Sequence, residues 1–159
     1  MDRSLYNTHV KLLAFDLTSL TQISSCSNSF SRHGFLLSRI ETLGVVTFCD
    51  LKPRKFLKFI IDDGTGCVDC ILWLNHLTSP YFARQNPSNV QQIADSAIRF
   101  ASEVRLGVVA RVRGKITKYR GLVQVTVSDI VVERDPNAEI LHWLDCMRLA
   151  RQCYDHSIK

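Results

Sequence analysis

A basic stretch gives the first indication of chemistry in this chain of 159 residues. Residues 104–128 include no Asp or Glu, but they hold several cations. These are Arg105, Arg111, Arg113, Lys115, Lys118 and Arg120. Together with a formal net charge of +5, they predict a surface that attracts an anion such as a phosphate backbone. The alternative is a solvated outer face, which needs no ligand.

Aromatic residues accompany these cations, since Trp73 ends a β-type run and Tyr119 lies between two basic residues. A groove for a single nucleic-acid strand combines cations along the phosphates with rings on which bases stack, each stacked base contributing about 1–3 kcal/mol. We therefore predict such a groove, with Tyr119 on an exposed turn, whereas Trp73 fits either the groove or a core. The candidate contacts are Lys55, Lys58, Trp73, Arg111, Arg113, Lys115, Lys118, Tyr119 and Arg120.

Two adjacent carboxylates, Asp62 and Asp63, are the most enzyme-like feature of the sequence. They are followed by Gly64-Thr65-Gly66, however, and this combination is typical of a tight hairpin turn. The sequence contains no recognisable Ser-His-Asp set, phosphate-binding glycine loop or further acid pair. We therefore predict a protein that is not an enzyme and has no catalytic residues.

Cysteine usage argues against a metal site. Cys67 and Cys70 have the spacing of a zinc or redox motif, but residues three apart on a strand face opposite sides. No second Cys-x-x-Cys pair completes a tetrahedral site, so we predict no metal and no cofactor. The N-terminus lacks the layout of a secretory signal, and no apolar run approaches the roughly 20 residues of a bilayer span. We expect reduced thiols, an intracellular location and no membrane partner.

The elements that must position these side chains read in the order β-β-β-α-β-β-α. The predicted strands cover residues 36–50, 56–61, 68–74, 108–117 and 122–132, with Gly44 marking a bulge or bend in the first. A helix is predicted from a capping box at Ser88 until Gly107, and a second helix from an N-cap at Asp135 followed by Pro136. An apolar element at residues 10–17 precedes a polar segment, residues 18–33, which we interpret as a loop.

Five strands with one helix between the third and fourth is the order of an OB-fold. We predict a mainly β protein with a single OB-fold, a five-stranded Greek-key barrel followed by a C-terminal α-helix. Closing the barrel would leave no free strand edges, although an ordinary α+β sheet is the alternative. The predicted parts are an N-terminal extension and loop (residues 1–34), the barrel (35–134) and a C-terminal interaction helix (135–159).

The C-terminal helix carries apolar residues at close to seven-residue spacing, as in a helix that packs against another helix. They are Ile140, Trp143, Leu144, Met147, Ala150 and Tyr154. This stripe could dock on its own barrel. A Trp and a Met at the end of a chain whose core already looks complete favour a partner helix instead.

Three segments in the same order resemble one known family: Ile60-Ile61-Asp62-Asp63-Gly64-Thr65-Gly66, Cys70-Ile71-Leu72-Trp73 and Arg111-Val112-Arg113-Gly114-Lys115-Ile116. This is the family of the Stn subunit of the CST telomere-capping complex, with the middle subunit of replication protein A as a more distant relative. The resemblance covers roughly residues 5–155. Because the chain ends at Lys159, without the winged-helix domains of animal and fungal members, it resembles the short plant form.

The resemblance implies a non-catalytic nuclear protein at the telomere. It further implies that the chain binds single-stranded telomeric DNA in a heterotrimer with a large multi-OB Ctc-type subunit and a small OB-fold Ten-type subunit. Such a complex protects chromosome ends and supports lagging-strand fill-in by DNA polymerase alpha-primase. Trp73 and Tyr119 match family positions that contact nucleic acid, Asp62 matches a contact to the small subunit, and the C-terminal helix matches the helix that binds this subunit.

Three alternatives remain open at this point. The first is the middle subunit of a replication-protein-A-like complex with a genome-wide role. The second is an OB module that binds RNA or tRNA. The third is a purely structural adaptor whose basic face is inert.

Overall fold

The structure is a computed structural model that describes residues 1–23 and 29–154. Within these residues the strands are β1 (His9–Lys11), β2 (Thr21–Gln22), β3 (Phe30–Arg32), β4 (Phe35–Leu37), β5 (Arg39–Lys52), β6 (Phe56–Asp62), β7 (Cys67–Trp73), β8 (Val109–Tyr119) and β9 (Leu122–Glu133). The helices are α1 (Ala14–Thr18), α2 (Pro87–Glu103) and α3 (Ala138–Leu149), with a 3₁₀ turn at Pro80–Phe82 and a π-helical turn at Ala150–Tyr154. In the part of the chain that is described, no helix is long and apolar enough to cross a membrane.

Five strands close into a barrel in the order β5-β6-β7-β9-β8, and β8 returns to pair with β5. Strand β5 is long enough to serve both sides, because residues 39–45 pair with β8 and residues 45–52 pair with β6. The changeover lies at Val45. This order, with α2 between β7 and β8, confirms the predicted OB-fold, and the five predicted strands correspond to β5–β9.

Gly44 permits the close approach of strands at this changeover. A Cβ atom at position 44 would lie 2.6 Å from the carbonyl oxygen of Asp62, which is closer than van der Waals contact allows. The register irregularity of β5 falls between Val46 and Phe48 rather than at Gly44 itself. Gly44 therefore lies at the bend, as predicted, whereas the bulge lies two to four residues after it, between Val46 and Phe48.

Parts of the polar segment at residues 18–33 form strands, which its composition did not predict. The interpretation of residues 18–33 as a loop is wrong for β2 and β3, which form a small antiparallel sheet with β4. Phe30 is completely buried in the same core as the barrel, and β1 pairs in parallel with β5. One buried aromatic residue anchors a segment that otherwise consists mostly of turn-forming residues. Cys26 lies outside the described residues.

The core fills the barrel and extends to the α2 end. Its fully buried side chains include Leu37, Ile40, Phe59, Ile61, Val68, Val112, Ile116 and Val125. Helix α2 contributes Val90, Ala94 and Ala97, which lie on one face of the helix. The helix begins two residues earlier than predicted, because Asn86 caps it by accepting a 3.0 Å hydrogen bond from the Ser88 amide.

The start of α3 also differs from the prediction. Asp135 does not cap the helix; its Oδ1 accepts a 2.9 Å hydrogen bond from the Asn137 amide, which forms a turn just before the helix. Helix α3 then begins at Ala138. Its buried side consists of Ala138, His142 and Cys146, one residue per turn.

Candidate nucleic-acid interface

Four side chains on the outside of the barrel form a cluster of rings around one cation, which we call the outer cluster: Phe56, Lys58, Trp73 and Tyr119. Lys58 Nζ lies 5.2 Å from the centroid of the Phe56 ring and 5.3 Å from that of Tyr119. The rings of Phe56 and Trp73 meet edge to face at 5.9 Å. A half-buried cation between aromatic faces combines the two kinds of contact that a single nucleic-acid strand requires.

The alternation of β6 positions this cluster. Leu57 and Phe59 point into the core, so Phe56 and Lys58 point outwards, and Phe56 lies directly opposite Trp73 on β7. Trp73 is 40% exposed, which rules out the alternative that it is a core residue. Phe56 was not among the predicted contacts. The period-two pattern that makes Lys58 an outward residue would have identified it.

The turn between β8 and β9 brings further cations to the cluster. Arg120 and Gly121 have positive φ angles of 50° and 82°, which form a tight turn and leave Tyr119 exposed at its start. The Arg120 guanidinium lies 5.3 Å from the Tyr119 ring centroid, and the exposed Lys118 comes directly before Tyr119 at the end of β8. Among the described residues, no carboxylate forms an ion pair with Lys118, Arg120 or Lys58. Their charge is therefore available to a phosphate.

Lys55 lies on the short connection between β5 and β6. It is exposed and, like the cations of the β8–β9 turn, has no carboxylate partner within the described residues. Its backbone bonds to Lys52 and Leu74 fix the connection beside the end of β7. Lys55 thus lies next in sequence to Phe56 of the outer cluster.

Two predicted contacts are engaged in ion pairs instead. Arg113 Nε donates a 2.6 Å hydrogen bond to Glu41 Oε2, and Arg111 Nη2 lies 2.6 Å from Glu133 Oε1. Glu41 has only 4% of its side chain exposed, and its hydrogen bond raises the pKa of the Arg113 guanidinium. The prediction that these arginines lack acidic neighbours is correct along the sequence but wrong in space, because β5 and β9 supply the carboxylates.

Lys115 lies on the same outer side of β8 but away from the outer cluster. It is four residues before Tyr119, about 13 Å along the strand. It pairs in register with Arg39 on β5, a cation that the sequence did not single out. Neither residue forms an ion pair with a described carboxylate. The predicted contacts therefore fall into three groups. The first lies at or near the outer cluster, the second is the ion-paired Arg111 and Arg113, and the third is Lys115 alone.

The two adjacent aspartates form a turn, as predicted. Asp62 Oδ1 accepts a 2.8 Å hydrogen bond from the Gly64 amide, and Asp63 Oδ1 accepts one of 2.9 Å from the Thr65 amide. Asp63 is buried, and its Oδ2 accepts a 2.7 Å bond from the Ala14 amide at the start of α1. Both carboxylates are thus occupied by backbone donors, which is a structural arrangement rather than a catalytic pair.

The exposed side of α3 carries an apolar stripe that we call the α3 stripe: Ile140, Leu144 and Met147. All three are exposed, and they lie opposite the buried side of the helix. Trp143 lies at the edge between the two sides, where its Nε1 donates a 2.9 Å hydrogen bond to the Asp63 carbonyl oxygen. The α3 stripe is open to a partner, whereas Trp143 docks the helix on its own barrel.

Tyr154 does not belong to this stripe, which corrects its prediction as a partner contact. It is 1% exposed and packs against Phe35, with ring centroids 5.6 Å apart, and under the Arg32 guanidinium at 4.5 Å. Burial raises the pKa of its hydroxyl to about 12. The seven-residue spacing fails here because the π-helical turn at Ala150–Tyr154 has more residues per turn and rotates the ring inwards.

Cys67 and Cys70, the pair with metal-like spacing, both lie on β7. Cys67 is exposed and Cys70 is buried, so they face opposite sides of β7, as predicted for a strand. Burial raises the pKa of the Cys70 thiol. In residues 1–23 and 29–154 no group of three His, Cys, Asp or Glu side chains is arranged to hold a metal ion.

Comparison with known proteins connects this geometry to a family. Residues 40–133 match the family of the OB-fold nucleic acid binding domain. The chain is also 54% identical to the CST complex subunit STN1 of Arabidopsis thaliana over 155 residues, which is 97% of this chain and 96% of that protein. The chain belongs to the STN1 family. The predicted resemblance to the plant form is therefore confirmed.

More distant members and relatives are longer. The chain is 24% identical to human CST complex subunit STN1, and the match covers 91% of this chain but only 41% of that protein. It is 27% identical to a 32 kDa subunit of replication protein A from Arabidopsis thaliana, covering 46% of it. Outside its plant STN1 relative, the chain thus spans less than half the length of these proteins.

Solved structures agree on the fold. The Stn1–Ten1 complex of S. pombe contains a chain that superposes with a TM-score of 0.74 at 19% identity, over 93% of this chain and 95% of that one. A replication protein A heterotrimer bound to single-stranded DNA contains one with a TM-score of 0.70 at 18% identity, over 92% and 98%. At 19% and 18% identity, these superpositions support the OB-fold and nothing more specific.

Proposed function

We propose that this chain is the telomere-capping subunit of a heterotrimeric complex that binds single-stranded DNA. The 54% identity to a plant CST complex subunit STN1, over nearly the full length of both chains, supports this role. The complex would protect chromosome ends in the nucleus and support lagging-strand fill-in by DNA polymerase alpha-primase. This role requires binding and assembly by the chain itself, and no catalytic step.

Single-stranded telomeric DNA would bind at the outer cluster. The observation that carries this part of the proposal is the position of Lys58 between the rings of Phe56 and Tyr119. Bases would stack on exposed rings while the phosphates follow nearby cations. Those cations are Lys55, Lys58, Lys118 and Arg120. Arg111 and Arg113 would add little, because Glu41 and Glu133 already neutralise them.

The α3 stripe would bind the small OB-fold Ten-type subunit. Three exposed apolar residues on one helical face form a surface that a second helix can cover, and burying them would remove apolar area from water. Asp62 would lie at the edge of this interface, since the β6–β7 turn is next to α3: a Cβ atom at Gly64 would be 3.5 Å from Trp143 Cζ2. A large Ctc-type subunit would complete the heterotrimer.

Affinity purification of the tagged full chain from nuclear extract, followed by mass spectrometry, tests the proposal. The variant replaces Ile140 and Leu144 with Glu, and the matched control is Ile98→Glu on α2. Ile98 and Ile140 are the same residue type with 60% and 61% exposure. We expect wild type and the control to recover a small and a very large OB-fold protein, and the variant to lose the small one.

Recovery of the large subunit of replication protein A would instead favour a middle subunit of a replication-protein-A-like complex. The 27% identity to a replication protein A 32 kDa subunit is the observation behind this second candidate. Recovery of a tRNA synthetase would indicate an RNA-binding module. Either result would contradict the telomere role.

A further inference from the structure

A groove of about 1270 Å³ lies between α2 and the strands β7, β9 and β8, and Trp73 is one of its lining residues. Trp73 therefore faces two surfaces, because its ring also contacts Phe56 in the outer cluster. We propose that this groove is a second section of the binding site for a single nucleic-acid strand, continuing past Trp73 from the outer cluster. The proposal rests on the proposed function and extends the path of the strand that it binds.

A second group of rings lies on the loop wall of the groove. Phe82 lies 4.9 Å from the ring of His76 and 4.9 Å from that of Tyr81, measured between centroids. Tyr81 is 75% exposed and lines the groove. Trp73 belongs to both the groove and the outer cluster. Aromatic rings therefore lie along the path from Tyr119 in the outer cluster to Tyr81 in the groove. Stacking on such a series tolerates any base sequence.

The charge of the groove suits a phosphate backbone. Arg39 and Lys115 line it and lie directly opposite each other on β5 and β8. None of the described residues that line the groove is Asp or Glu. This distinguishes it from the neighbouring part of β8, where Glu41 and Glu133 neutralise the arginines.

The strand register connects these cations to the outer cluster. Lys115 pairs with Thr126 on β9, Thr126 with Ile71 on β7, and Ile71 with Lys58 on β6. Lys58 and Lys115 are thus three strand spacings apart around the barrel, or about 14 Å. Ile71 itself is only 4% exposed, so a strand of nucleic acid would cross β7 over the neighbouring Trp73, where none of the described groove residues is a carboxylate.

The helix wall of the groove offers hydrogen bonds to bases. Gln85, Asn89 and Gln92 are exposed and line the groove on the side of α2 and the loop before it. Amide side chains both donate and accept, so they can bond to the edges of unpaired bases. Nδ1 of His76 is buried and has no hydrogen-bond partner among the described residues, which leaves one polar atom of the groove unsatisfied. A protein segment could use the same amides, but the missing carboxylates and the continuity with Trp73 favour a nucleic acid.

Oligothymidylates of two lengths test the proposal with the full chain. The short one, about 5 nucleotides, fits one section of the site, and the long one, about 12 nucleotides, can occupy both. The variants are Tyr81→Ala in the groove and Tyr119→Ala in the outer cluster, with Phe15→Ala as an exposed aromatic control on α1. Fluorescence anisotropy at low salt measures each dissociation constant.

We expect Tyr81→Ala to weaken binding of the long oligonucleotide about 5- to 150-fold and to leave the short one unchanged. Tyr119→Ala should weaken both, and Phe15→Ala neither. Photo-crosslinking of 5-iodouracil, placed at each position in turn, should attach Tyr119 near one end of the long oligonucleotide and Tyr81 near the other.

The proposal is wrong if Tyr81→Ala binds both lengths like wild type while Tyr119→Ala is weakened, and the proposed function then stands. It is also wrong if Tyr81→Ala changes no DNA binding but removes a protein from the purified complex, because the groove is then a protein interface. If wild type binds neither length, the proposed binding function fails together with it.

Discussion

Trp143 Nε1 donates a 2.9 Å hydrogen bond to the carbonyl oxygen of Asp63, and this bond joins the C-terminal helix to the β6–β7 turn. The carboxylate of Asp63 in turn accepts a bond from the Ala14 amide, so one residue connects α3, the barrel and the N-terminal segment. The orientation of α3 is therefore set by its own barrel before any partner binds. The α3 stripe points away from this contact.

Removing the indole donor should lower the stability of the fold. We expect Trp143→Phe to lower the free energy of unfolding by about 0.5–1.5 kcal/mol, because a partly buried carbonyl oxygen loses its hydrogen bond. Chemical denaturation monitored by circular dichroism measures the difference. Trp73→Phe is the matched control, since Trp73 is exposed and its loss should leave stability nearly unchanged. Equal effects of the two variants would argue against the docking role of Trp143.

Aromatic truncation in the outer cluster should weaken DNA binding without unfolding the protein. Tyr119→Ala removes an exposed stacking ring, so we expect a loss of about 1–3 kcal/mol in binding free energy for single-stranded DNA. Fluorescence anisotropy with a telomeric-repeat oligonucleotide measures it, and thermal unfolding checks that the melting temperature is unchanged. Wild-type affinity in this variant would mean that Tyr119 does not contact the strand.

Two cations of the same strand should have different roles. Arg113→Ala removes the closest cation from the buried carboxylate of Glu41, which keeps only longer contacts to Arg111 at 3.8 Å and Lys11 at 3.9 Å. It should therefore lower stability by about 1–3 kcal/mol. Lys118→Ala breaks no ion pair and should instead reduce the slope of log affinity against log salt by about 0.7, the share of one phosphate contact on a single strand. Thermal unfolding and a salt titration of DNA binding, done on both variants, separate these roles. If Arg113→Ala reduced the slope of log affinity against log salt and left stability unchanged, Arg113 would contact DNA and its structural role would be contradicted.

Acidification should destabilise the protein through His142. Burial lowers the pKa of this imidazole below its ordinary value of 6.5, with smaller opposing effects from Leu12 and Glu41. Below about pH 6.5 the unfolded chain therefore takes up a proton that the folded chain resists, so stability is complete above this pH and falls as the pH decreases. We expect the loss in unfolding free energy between pH 7.5 and 5.5 to be smaller in His142→Gln than in wild type. His33→Gln, at an exposed position, is the matched control for the substitution itself.

The barrel could be predicted from the sequence because its strands alternate regularly and its turns carry glycine at the points where the chain reverses. The same local reasoning failed for β2 and β3, since the packing of β3 depends on a single buried Phe30 that no period reveals. It also failed for Tyr154, where a π-helical turn changes the helical phase.

The candidate site was predictable only in part. Lys58, Trp73 and Tyr119 follow from residue type and strand position, and Phe56 follows from the same alternation. The neutralisation of Arg111 and Arg113 depends on which strands lie next to β8, and the pairing of Arg39 with Lys115 depends on the register of a closed barrel. These relations are long-range, so a sequence read in local windows does not contain them.

The length of the single-stranded overhang at chromosome ends tests the central claim most directly. In cells depleted of this chain, in-gel hybridisation to the telomeric strand should show a longer overhang, because end protection and fill-in fail together. Wild type and Ile98→Glu should restore the normal length, and the Ile140→Glu, Leu144→Glu variant should not. An overhang that stays unchanged on depletion would contradict the telomere-capping role.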